Sequence, residues 1–153
     1  MSIASKLQAD KTMFRVRGRQ LGGQLRTVCN LISANVQIPV FKVTLGSFDT
    51  HVNQRNQHRN LLRELDEALT DTVAALKRIG VWDRVSIITY SEFGRRVAEN
   101  GARGTDHGTA APHFYISGNV RGGIHGGMAD LEKLKKGDLI FKTDYRSVFE
   151  FAL

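Results

Sequence analysis

Apolar residues recur along this chain with two different periods. From Gln20 to Ala34, Leu21, Leu25, Val28, Leu31 and Ile32 fall at steps of three and four, which predicts a helix with one apolar face despite Gly22 and Gly23 within it. A second and clearer helix covers residues 54–79, where Leu61, Leu62, Leu65, Leu69, Val73, Leu76 and Ile79 make one stripe. Arg63, Glu64, Asp66, Glu67 and Lys77 fall largely outside that stripe and read as a solvated face. Lys77 and Arg78 suit the negative end of the helix dipole, and Gly80 is the stop signal. Strand-forming runs lie on either side. Residues 39–45 begin with Pro39, acceptable at a strand's first position, and residues 84–90 are a β-branched run. Strand, helix and strand in this order predict a βαβ unit with parallel pairing and a right-handed crossover.

Downstream, residues 112–117 predict a third strand, and Gly118, Gly122, Gly123, Gly126 and Gly127 mark a mobile or tightly turning loop. Residues 131–136 read as one helical turn or irregular chain, and residues 140–143 as a short edge strand. Asp144 then caps a final helix running from Tyr145 to the C-terminus. These elements predict an α/β fold, a mostly parallel sheet flanked by helices, in a domain covering residues 20–153. Residues 1–19 have weak periodicity and read as an exposed basic arm with little packing.

Charge and composition narrow the class. The net charge is +7, yet residues 1–30 alone hold Lys6, Lys11, Arg15, Arg17, Arg19 and Arg26 against Asp10, a local +5. The rest of the chain is nearly balanced and has no basic stripe with interleaved aromatics, which disfavours nucleic acid as the partner. With 41% hydrophobic and 24% charged residues, the chain has the composition of a folded globular domain rather than a disordered one. The single cysteine, Cys29, excludes an intramolecular disulfide and a cysteine-rich zinc site, and reads as a packing residue. The longest uncharged run, 15 residues from Thr27 to Phe41, is too short and too polar to span a bilayer, and no signal peptide is visible.

Candidate chemistry collects where strand-like runs end. Asp49 and His51 follow the first run, Glu92 follows the second, and Asp106 and His107 sit in a glycine-rich loop before the third. Mixed carboxylate and imidazole ligation without thiolate suits zinc, manganese or iron. Arg95 and Arg96, close to Glu92 in sequence, are placed to grip a substrate anion. Each residue also has an ordinary reading: Asp49 and Asp106 as turn formers, Glu92 as a structural partner of Arg95. His58 and His113 read as structural, and His125 in the glycine loop carries no assignment.

Three stretches carry a family resemblance: residues 46–54 (GSFDTHVNQ), residues 91–101 (SEFGRRVAENG) and residues 104–112 (GTDHGTAAP). Together they resemble the bacterial family catalogued as domain of unknown function 1501, which is placed in the alkaline phosphatase and sulfatase-like superfamily. The likeness runs from about Leu21 to Leu153 and implies a partial alkaline-phosphatase-like α/β fold with metal ligands at strand ends. By motif, Asp49 and His51 would supply one ligand pair and His107 the superfamily's late histidine. Glu92 stands where the superfamily usually has the aspartate of an Asp-His-Gly motif, and Phe93 replaces its histidine. The resemblance also implies that the serine or threonine nucleophile and an early metal-binding aspartate lie upstream, so the chain reads as the C-terminal portion of a longer fold.

The expectation is therefore a metal-dependent hydrolase-like domain acting on phosphate or sulfate esters, active or not on its own. Its cofactor would be a divalent metal, zinc or manganese, with Asp49, His51, Glu92, Asp106 and His107 around it and Arg95 and Arg96 on a small anionic ester. The alternative is a non-catalytic metal- or anion-binding assembly module that self-associates or docks to an absent N-terminal portion. The compartment stays open, since relatives of this kind are often exported.

Overall fold

The structure is a computed structural model that describes residues 14–150. The chain divides into two compact units. One is formed by the described residues up to Phe48 together with Gln57–Trp82, the other by Asp49–Asn56 together with the chain from Asp83 onward.

The first unit is a helix pair: α1 (Leu21–Ser33) and α2 (Gln54–Ile79), which belongs to this unit from Gln57. On α1 the buried positions Leu21, Leu25 and Cys29 repeat every four residues, as an apolar stripe must. On α2 the buried positions are Ala68, Thr72, Ala75 and Leu76, and Ala68 and Ala75 lie in the core with Leu21, Leu25 and Cys29 of α1 and with Val16 and Phe14. This shifts the expected leucine stripe: Leu65 and Leu69 pack at the edge of the core, whereas Leu62 is exposed. Thr72 satisfies its buried hydroxyl by donating to Ala68 O at 2.7 Å. Cys29 packs with Phe14 and Ala75, and burial pushes its thiol up to about 11, which keeps it neutral.

Both helices end in the same way. Gly80 (φ 77°) bonds back to Lys77 O and Val81 to Leu76 O, and Asn35 (φ 54°) bonds to Ile32 O and Val36 to Leu31 O. These are paired Schellman closures with a left-handed residue after each helix. The start of α1 is capped from a distance: Glu64 on α2 accepts from Gln20 N at 2.8 Å and Leu21 N at 3.0 Å, a carboxylate on a positive helix end.

The expectation of an unpacked arm fails for residues 14–19; residues 1–13 lie outside the described chain. Phe14 and Val16 are core residues, Phe14 with Cys29 and Ala75, Val16 with Leu21, Leu25 and Ala68. Arg17, which follows Val16, is clamped on Asp71, its main-chain N at 2.8 Å from Oδ2, Nε at 2.9 Å from Oδ2 and Nη2 at 2.9 Å from Oδ1. The alternation of arginines with Phe14 and Val16 is thus a strand-like two-sided pattern, apolar inward and basic outward. Gly22 is explained by the same segment, because a Cβ there would overlap the Arg17 carbonyl.

The expected parallel sheet is absent among the described residues. Residues 39–45 form no strand. Near the end of this run a side chain takes up the backbone instead: Gln24 donates to Thr44 O at 2.8 Å and accepts from Thr44 N at 3.0 Å, and just beyond it Gln20 accepts from Gly46 N at 3.3 Å. With both backbone groups of Thr44 held by Gln24, this end of the run is not free to pair with a neighbouring strand, and the βαβ unit does not form.

The second unit is built from three antiparallel ribbons that follow a short 3-10 turn at Trp82–Arg84. Strand β1 (Ser86–Ile88) pairs with β4 (Tyr115–Ser117), with Ile87 opposite Ile116. Strand β2 (Gly94–Glu99) pairs with β3 (Thr105–Gly108) through an irregularity between Arg95 and Glu99. Strand β5 (Leu134–Lys135) pairs with β6 (Asp138–Leu139) around Lys136 and Gly137, both at positive φ. The fold is α/β in the general sense of mixed helix and strand. Residues 131–133 are irregular, as one of the two expectations for 131–136 had it, whereas residues 134–136 enter this hairpin; residues 140–143 form no strand. Asp144 does cap α3 (Tyr145–Glu150), accepting from Arg146 N at 2.9 Å, and Arg146 holds its carboxyl down to about 2. Residues 151–153 of the expected helix lie outside the described chain.

Candidate functional site

The candidate ligands gather inside the second unit because a hairpin turns two side chains toward a loop. Arg95 on β2 and His107 on β3 are direct cross-strand partners, so their side chains leave the same face of the ribbon. Both reach Asp49. The carboxylate oxygen Oδ1 of Asp49 lies 2.8 Å from His107 Nε2, 2.9 Å from His51 Nε2 and 3.1 Å from Arg95 NH2. Arg95 is anchored on its other side by NH1, which donates to Thr105 O at 2.7 Å.

These contacts set the electrostatics. The hydrogen bond from His107 is the main reason that the Asp49 carboxyl is held below its usual range, with Arg95 and the two histidines adding to it and partial desolvation opposing. Asp49 is therefore an anion at neutral pH. Its side chain is 60% exposed, whereas that of Arg95 is 14% exposed. The carboxylate faces solvent and the guanidinium stands largely behind it.

Asp49, His51 and His107 each offer one ligand atom, and these atoms all lie within 4.8 Å of one another. Two imidazole nitrogens and one carboxylate oxygen are a donor set suited to zinc, manganese or iron, and three protein ligands with an open side are the pattern of a catalytic rather than a structural zinc site. The residues present thus fit a divalent cation. Asp106 stands outside this trio, its Oδ1 at 3.5 Å from His51 Nδ1, the ring nitrogen turned away from Asp49. A carboxylate on the far nitrogen is how a ligating imidazole is commonly oriented.

Glu92 is not part of the group. It is exposed in the bend before β2, where Ser91 Oγ donates to Phe93 O at 2.8 Å. Phe93 takes the inner place and stacks on His107, with ring centroids 4.0 Å apart and planes 7° from parallel. Arg96, next to Arg95 on β2, emerges on the opposite face and is exposed. His113 is half-buried, and burial lowers its imidazole pKa. His58 packs against Phe48 at a centroid distance of 5.6 Å, and His125 is exposed.

Two residues that the sequence reading passed over hold the site's framework. Asn100, in the turn between β2 and β3, accepts from Ala102 N at 2.9 Å and Gly104 N at 3.0 Å and donates to His51 O at 3.0 Å. Gly104 lies directly against the main chain of His51, and a Cβ there would overlap its carbonyl. The dipeptide Asn100-Gly101 is a turn signal that could have revealed the hairpin.

A family model described as "Protein of unknown function (DUF1501)" matches residues 15–138, most of the chain. The chain belongs to the DUF1501 family. All the residues of the trio, together with Arg95, Asn100, Gly104 and Asp106, fall within the DUF1501 match. No curated protein and no solved structure matches the chain. Among the described residues of this DUF1501 member, no helix is long and apolar enough to cross a membrane.

Proposed function

We propose that this chain carries a divalent-metal centre in a hydrolase-like domain acting on phosphate or sulfate esters, related to the alkaline phosphatase and sulfatase-like superfamily and equivalent to the C-terminal portion of that fold. The observation that carries the reading is the convergence of Asp49, His51 and His107, from two segments more than fifty residues apart in sequence, with ligand atoms within 4.8 Å. Asp49, His51 and His107 would hold the ion, zinc or manganese. Bound there, the ion would lower the pKa of a water and polarise an ester oxygen. The protein's own residues do the rest of the work in this reading. Asp106 orients His51 through Nδ1, Arg95 fixes Asp49 and adds fixed positive charge beside an incoming anion, and Phe93 holds the plane of His107. Glu92 and Arg96 are not needed.

A second reading, a non-catalytic metal- or anion-binding module, draws on the same cluster: His51, His107 and Arg95 together present donors that an oxyanion would also take. Metal content and turnover together separate the readings. Elemental analysis of the purified, never-chelated protein is expected to give near-stoichiometric zinc or manganese, lost in the His51→Ala/His107→Ala variant while its circular dichroism is retained. Turnover of aryl phosphate or aryl sulfate esters that disappears with the metal supports the hydrolase. Stoichiometric metal without turnover supports the binding module, and a wild type that takes up no supplied zinc or manganese rejects the metal centre altogether.

A further inference from the structure

We infer that Asn100 is a positioning residue for His51, one whose single carboxamide fixes both the main chain of that histidine and the carboxylate behind its ring; the inference rests on the reading of His51 as a ligand. Asn100 spends its amide asymmetrically. Its oxygen closes the turn, accepting from Ala102 N at 2.9 Å and Gly104 N at 3.0 Å. Its nitrogen faces outward to the site, donating to His51 O at 3.0 Å and pointing at Asp106 Oδ1 at 3.5 Å. Because two N–H groups meet the oxygen and two oxygens meet the nitrogen, the surroundings dictate which way the amide is turned.

The consequence follows along the His51 residue. Its carbonyl is held by Asn100 and pressed by Gly104, which fixes the peptide plane from which the side chain departs. The flanking chain is tied to the same turn, Asn53 N donating to Ala102 O at 3.0 Å and Gln54 N to Arg103 O at 2.9 Å. Gln54 also exchanges hydrogen bonds with Thr105 Oγ1 at 3.0 and 3.2 Å, so the 100–105 turn grips residues 51–54 at several points. The ring itself is set between Asp106 on Nδ1 and Asp49 on Nε2. Asn100 is the residue that joins these two restraints. An ordinary turn-forming asparagine would need only its oxygen.

That asymmetry defines the test. Asn100→Asp retains an acceptor for Ala102 N and Gly104 N but places an oxygen against His51 O and a negative charge against Asp106. Asn100→Ser also keeps a turn acceptor and loses the reach to His51, and serves if the aspartate variant does not fold. Two readouts are taken on each full-length variant: zinc affinity by competition with a chromophoric chelator, and the ring nitrogen shifts of His51 in long-range proton–nitrogen spectra. Zinc affinity is expected to fall about 10- to 100-fold, the range typical of lost outer-shell support, with changed His51 ring nitrogens and unchanged circular dichroism. Wild-type affinity together with unmoved His51 signals would overturn the inference. If the wild type binds no zinc, the metal reading falls, and the His51 signals in the two variants still decide the role of Asn100.

Discussion

The two units of this chain are held together by different means. In the helical unit, buried Leu21, Leu25, Ala68, Ala75 and Leu76 lie at helical spacing, and polar groups act at the rim, as when Glu64 caps α1. In the ribbon unit the core is thin. Its strands run from two to six residues, and order comes from side-chain hydrogen bonds to backbone and from glycines that let strands and loops touch. Burial of apolar surface is roughly additive and tolerant of detail, whereas a polar framework depends on each group having its partner. The first architecture suits a scaffold, the second a site whose ligands must be aimed.

The comparison breaks most visibly at Leu76, which is 1% exposed. Leu76→Ala is expected to cost about 2–5 kcal/mol of stability, measured by chemical denaturation, because it removes apolar contacts and leaves a cavity. In the ribbon unit the corresponding weak point is not an apolar residue. Gly104→Ala forces a methyl group into the His51 carbonyl, with an expected cost of about 1–3 kcal/mol and a weakened metal site, read by denaturation and by zinc titration. A loss of stability with zinc binding intact would show that the turn does not control His51.

The smallest effect sharpens the contrast at the helical unit's rim. The clamp from Arg17 holds the Asp71 carboxyl below its usual range, chiefly through the side-chain hydrogen bond. A carboxyl whose folded pKa is depressed binds its proton more readily when unfolded, so its contribution is present above the ordinary carboxylate pKa of about 4 and is lost as pH falls through the lower folded value. Asp71→Asn is therefore expected to lower the unfolding midpoint modestly at pH 7 and to converge with wild type in strong acid. Equal midpoints at pH 7 would show that the exposed Arg17 makes no net contribution there.

The same physical division decides how much could be read in advance. Helix α2 announced itself because a 3.6-residue pattern sustained over 26 residues, closed by Gly80, has few competing interpretations. The parallel sheet is the wrong reading of residues 39–45, which have strand composition, because nothing local shows that Gln24 takes up Thr44 and that Gln20 takes up Gly46 just beyond. Hairpin β2–β3 escaped because Gly94-Arg95-Arg96-Val97-Ala98-Glu99 has no apolar alternation, although Asn100-Gly101 marked its turn. At the site, Asp49 and His51 stood out as chemical residues following one strand-like run and His107 as one in the glycine-rich loop before another, and the structure brings them together. The roles of Asn100 and Gly104 depend on contacts about fifty residues away, which local pattern does not encode.

The flat stack of Phe93 on His107 has a thermodynamic consequence. An imidazole on a surface normally rotates about its side-chain bonds, and stilling it on binding costs about 0.5–1.5 kcal/mol of entropy. Here the aromatic neighbour restricts the ring as the chain folds, before any ligand arrives. The ordering cost falls on folding rather than on association, so an ion or anion reaching His107 meets a ring already held in place.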